Sequence, residues 1–79
     1  MYEDETKDVE AAIAALRAEP DATLIPELED QQAAAGTGLE FYGITKSVFE
    51  RFLKDKTLLP ETRAALNAGI KAVTAIYTK

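Results

Sequence analysis

Apolar positions recur at steps of three and four in four stretches of this chain, with polar and charged residues between them. Val9, Ile13 and Leu16 share one face of a helix predicted over 7–18. Leu24, Ile25 and Leu28 supply the apolar face of a second, over 24–35. Phe49, Phe52 and Leu53, bordered by Val48, do the same for a third over 45–54, and Leu66, Ile70, Val73, and Ile76 or Tyr77 for a last helix over 60–78. No segment of strand length alternates with period two. Alanine is abundant and β-branched runs are rare, which favours helix over strand.

Local punctuation fits these elements. Thr6 suits an N-cap, and Asp8 and Glu10 suit the positive end of a helix dipole. Glu19-Pro20-Asp21 ends the first helix, because proline disfavours a helical conformation at the residue before it. Pro26 is tolerated in a first turn, Lys54-Asp55-Lys56-Thr57 reads as a polar loop, and Pro60 opens the last helix. Gly36-Thr37-Gly38 has two readings: a linker between an N-terminal hairpin and a C-terminal module, or part of the first helix of a helix-turn-helix. Residues 1–5 are expected to fray. The expected fold class is all-α, with four to five short helices, a helix-turn-helix near 33–53, and one domain over 1–79. An acidic helical part, 6–35, precedes a helix-turn-helix-like part, 36–79. Ile13, Leu16, Leu28, Phe41, Phe49, Phe52, Leu66, Ile70, Val73 and Ile76 are the expected core.

Composition narrows the chemistry. Seventy-nine residues support one small core. Cysteine and histidine are both absent, which removes disulfides, thiolate metal sites and the usual general base together. The carboxylates of Glu3/Asp4/Glu5 and Glu27/Glu29/Asp30 read as solvated acidic surface, and no phosphate-loop lysine follows Gly36-Thr37-Gly38. The expectation is therefore no enzyme, no cofactor and no metal. No stretch of about 20 apolar residues spans a membrane. The acidic start, Met-Tyr-Glu-Asp-Glu, lacks the pattern of a signal peptide, so a cytoplasmic protein is expected.

The net charge of −5 is unevenly placed. Residues 1–40 hold eleven acids against Lys7 and Arg17, whereas residues 41–79 hold seven bases against Glu50, Asp55 and Glu61. Such asymmetry hints at a nucleic-acid face with an acidic arm, and equally describes solvated helix surfaces.

The stretch from Gly43 to Leu53 gives the basic half its sharpest expectation. Gly43 permits a turn, Thr45 is an apt N-cap, and Phe49, Phe52 and Leu53 then face inward while Lys46, Ser47, Glu50, Arg51 and Lys54 face outward. A Gly-Ile-Thr turn, a helix ending Arg-Phe-Leu-Lys, and Leu-Pro-Glu-Thr-Arg opening another helix follow in that order. Over roughly residues 35–73 this resembles the DNA-binding headpiece of the lac-repressor family and, more loosely, phage repressor folds. The resemblance implies a recognition helix in which Lys46, Ser47 and Arg51 read bases and Thr45 meets a phosphate.

Two functions follow. The first is a small sequence-specific DNA-binding transcription regulator of phage or plasmid type. There Thr45, Lys46, Ser47 and Arg51 would contact the site, and Lys54, Lys56 and Arg63 would grip the backbone of double-stranded DNA. A homodimer would use Val73, Ile76 and Tyr77, which otherwise close the monomer core. The second is an acidic helical module that binds a basic protein through residues 1–30, or blocks a nucleic-acid enzyme by imitating DNA. Glu50, which would repel phosphate on the outward face of the third helix, favours this reading.

Overall fold

Four helices form where the four apolar stripes lie: α1 (Glu3–Arg17), α2 (Leu24–Gln32), α3 (Gly38–Asp55) and α4 (Pro60–Tyr77). The structure is a computed structural model describing the backbone of residues 3–78 and the side chains of residues 6–78; of the expected fraying of 1–5, residues 3–5 are instead helical, and residues 1 and 2 lie outside the described residues. No strand occurs among the described residues.

Neighbouring helices run in opposite directions. Glu19, just past α1, bonds to Leu59, just before α4, and Ala12 faces Gly69 midway along both. Arg63 at the start of α4 donates to the carbonyl of Leu53 near the end of α3, whereas Tyr77 at the end of α4 donates to the carbonyl of Leu39 at the start of α3. Arg51, late in α3, meets Glu27, early in α2. The packing order α1–α2–α3–α4 closes with α4 on α1, an up-down-up-down bundle joined by short connections. Phe49, Phe52, Leu16, Leu24, Leu28, Leu66 and Val73 fill its centre, fully buried. Of the expected core, Ile13 and Ile70 lie at its margin, half-buried, and Phe41 is half-buried on α3, its ring edge-on to Tyr42.

Three boundaries differ from expectation, each for a local reason. Thr6 lies inside α1, which is already helical at Glu3, and so does not cap it. α2 ends at Gln32 rather than 35, leaving 33–37 as the connection. The largest difference is at Gly43, where the expected turn is absent and α3 passes straight through. α3 instead begins eight residues before Thr45, at the N-cap Thr37, whose hydroxyl accepts from the Glu40 backbone N–H at 3.1 Å. Thr37-Gly38-Leu39-Glu40 has the spacing of a capping box. Gly43 costs the helix about 1 kcal/mol relative to alanine. It also makes room: a Cβ there would lie 2.6 Å from the Tyr77 hydroxyl. Glycine at 43 thus serves the approach of α4 rather than a turn. The helix–turn–helix sequence that does occur is α2, the 33–37 connection and α3.

The start of α4 is held from a distance. Its N-cap, Leu59, has no side-chain cap of its own, and Pro60 occupies the first helical position. Glu19 supplies the acceptor: its carboxylate, only 8% exposed, takes the Leu59 N–H at 3.0 Å. A capping-box glutamate three residues onward ordinarily meets this N–H. Glu19 therefore ties the α1–α2 connection to the α3–α4 connection. Replacing Glu19 with alanine should cost about 1.5–3 kcal/mol, the range for a hydrogen bond to a charged group. Glu19→Gln, which keeps an acceptor, should lose less. Urea unfolding of both variants checks this, and an unchanged midpoint for Glu19→Ala would show that the bond contributes nothing.

Candidate functional site

The residues expected to touch DNA separate into an inside and an outside group. Thr45 is fully buried in the middle of α3. Its hydroxyl donates to the carbonyl of Phe41 at 2.7 Å and accepts from the Gln32 side-chain amide at 2.9 Å. Both roles of that hydroxyl are filled, so Thr45 joins α2 to α3 and does not cap a helix or face a phosphate. The expectation failed because a threonine back-bonded to the preceding turn sits comfortably inside a helix when a neighbour completes its hydrogen bonding.

The basic side chains lie outside, and most are matched within the chain. Lys46 pairs with Glu50 one turn on, at 3.0 Å. Arg51 donates to one carboxylate oxygen of Glu27 at 3.0 Å, while the Lys56 ammonium lies 3.7 Å from the other. Both cations also lie 6.0 Å from the centroid of the Phe52 ring. Arg63 caps the carbonyl of Leu53 at 3.2 Å. Ser47 is exposed on a shallow groove of about 350 Å³ between α2 and α3, lined also by Gln31, Glu40, Ile44 and Arg51. Lys54 is exposed at the end of α3. Arg51, Lys54, Lys56 and Arg63 are thus brought to one end of the bundle, and Glu27 is the partner that sequence reasoning missed.

Glu27 is placed by the entry into α2. Asp21 accepts from both the hydroxyl and the backbone N–H of Thr23, fixing the turn before Leu24. The Thr23 hydroxyl, then its N–H, hold the Asp21 carboxyl below its ordinary pKa. Each exposed pair contributes about 0–1 kcal/mol. The effect on recognition is larger than that on stability: Glu27 already presents carboxylate oxygens to Arg51 and Lys56, where a phosphate would otherwise sit.

The opposite end of the bundle is predominantly acidic. It gathers the first half of α1, the last turn of α2, the first turn of α3 and the second half of α4. Within the described side chains of 6–10, 29–40 and 69–78 lie Asp8, Glu10, Glu29, Asp30 and Glu40, against Lys7 and Lys71. Among the described side chains, Asp8, Glu10, Glu29, Asp30 and Glu40 form no ion pair. Glu29 and Asp30 stand in the last turn of α2, which has no basic residue. Carboxylates there oppose the helix dipole at about 0.3–1 kcal/mol each. Val73 and Ile76, two of the three residues expected at a dimer surface, are buried in the core, while Tyr77 is half exposed.

Among the described residues no group of acidic side chains is arranged to hold a metal ion, and no helix is long and apolar enough to cross a membrane. Comparison with protein-family models, with curated proteins and with solved structures returned no match.

Proposed function

We propose that this chain is a small acidic interaction module that binds a basic protein through the carboxylate-rich end of its bundle. One observation carries the reading: among the described side chains at that end, Asp8, Glu10, Glu29, Asp30 and Glu40 all lack an ionic partner. Glu29 and Asp30 sit there against local helix electrostatics, and a binding role accounts for charges placed at such a cost. The basic surface that the resemblance would direct at DNA is supported less well. Its Lys46, Arg51 and Lys56 have carboxylate partners, and Thr45 lies inside.

Titration calorimetry at low salt separates the two readings. Oligolysine should bind, with an affinity that falls as salt is added and drops severalfold in Glu29→Gln/Asp30→Gln. Arg51→Ala should leave that binding unchanged. Mixed-sequence duplex DNA should not bind. If instead the duplex binds and Arg51→Ala weakens it, the headpiece reading replaces this one.

A further inference from the structure

The carboxylate-rich end also holds two of the three large apolar side chains exposed among the described residues, the third being Leu59 at the other end. Leu39 and Tyr77 are 54% and 50% exposed, and the two residues are joined by the bond from the Tyr77 hydroxyl to the Leu39 carbonyl. Beside them a groove of about 430 Å³ opens between the first turns of α3 and the last turn of α4, lined by Thr37, Gly38, Leu39, Tyr42 and Ile76. Apart from the Thr37 hydroxyl, its side chains are apolar or aromatic. Gly38 leaves part of the lining bare, since a Cβ there would have no neighbour within 4 Å. The exposed Glu40 carboxylate follows directly on the same turn, and the acids of α1 and α2 lie at the same end.

Resting on the protein-binding reading above, we infer that this groove receives a bulky apolar side chain from a basic, amphipathic segment of the partner, while the surrounding carboxylates face that segment's lysines or arginines. Charge selects this occupant. A second copy of the chain would bring two acid-rich ends together, and like charges juxtaposed across an interface disfavour association. A basic segment gains on both counts: its cations meet carboxylates and its apolar face fills the groove. The bond between Tyr77 and Leu39 fixes one rim, so little ordering is required on binding.

The test uses two synthetic helical peptides of equal positive charge, one with leucines along a single face and the other with alanines in their place. The leucine peptide should bind on the order of tenfold more tightly, as expected for burial of one large apolar side chain. NMR shifts should include Leu39, Tyr42 and Ile76. Leu39→Ser should reduce the leucine peptide to the affinity of the alanine peptide. Gly38→Leu, which adds bulk at a lining position whose Cβ would meet no neighbour, should do the same while leaving the helical circular dichroism spectrum intact. Equal binding of both peptides, still weakened by Glu29→Gln/Asp30→Gln, would overturn the groove inference and leave the acidic-end reading standing. No binding of either peptide would overturn both. A concentration-dependent dimer in sedimentation that Leu39→Ser abolishes would make the groove a contact between copies and overturn the inference.

Discussion

Replacing Phe49 with alanine should destabilise the protein by about 3–5 kcal/mol, the range for truncating a fully buried aromatic. Phe49 is 0% exposed, and its ring edge packs against Gly69 on α4, close to Ala12 on α1. The ring therefore fills space where three helices converge, and neighbours anchored on separate helices close a cavity there only in part. In a domain of 79 residues that loss is a large share of the whole stability, and the variant is expected to populate the unfolded state at room temperature. Phe49→Leu, which retains most of the volume, should fold and show the smaller loss. Chemical denaturation of both measures the difference. An unchanged midpoint for Phe49→Ala would mean that the ring is not a core element.

The prominence of Phe49 was legible in the sequence, because helical periodicity alone puts Phe49, Phe52, Leu66 and Val73 on inward faces. The all-α class and three of the four helix locations were legible for the same reason. The start of α3 was signalled by Thr37 and Glu40 at capping-box spacing, but the glycines on either side of Thr37 made that stretch resemble a linker. Threonine is a good cap, so sequence alone places Thr45 at a helix start. Its burial depends on Gln32, which only the folded chain places beside it. The same limit hid the ion pairing of the basic residues: Arg51 and Glu27 are 24 positions apart. Charge asymmetry between the halves was visible along the chain. Which charges remain unmatched is a property of helix direction, since alternate helices bring the start of α1, the end of α2 and the start of α3 to one end. The apolar groove joins Leu39 to Ile76 and Tyr77, and no local pattern marks it.

Alternating helix direction also explains how one small bundle presents two unlike ends. At the end near the α3–α4 connection, Glu19, Asp21 and Glu27 are engaged with Leu59, Thr23 and the pair Arg51 and Lys56. These interactions hold the connections in place. At the other end the connection 33–37 is held by the Thr37 cap, and the described carboxylates nearby remain without ionic partners. Such a division lets the first end maintain the fold while the second keeps the charge and apolar exposure that the proposed binding would use.

Gly69→Leu should be the second severe substitution, costing about 3 kcal/mol or more through overpacking. Gly69 is buried in the middle of α4, where intrinsic propensity alone would make alanine better by about 1 kcal/mol. Geometry opposes that gain: a Cβ at 69 would lie 3.0 Å from the Phe49 ring and 3.3 Å from the Ala12 methyl. The methyl is fixed to the α1 backbone and cannot rotate away, and the ring is enclosed on all sides. Even Gly69→Ala should therefore be destabilising, by less than the leucine variant, with α1 and α4 forced apart. The cause can be isolated with a double-mutant cycle. In a Phe49→Leu background the nearest ring atoms are gone, so Gly69→Ala should cost less than it does beside phenylalanine, a coupling expected only of residues in contact. If Gly69→Ala stabilises the parent protein, helix propensity outweighs the contact and the three-helix junction is looser than these distances imply. If it costs the same in both backgrounds, the clash is with Ala12 rather than Phe49, and Ala12→Gly should provide the relief instead.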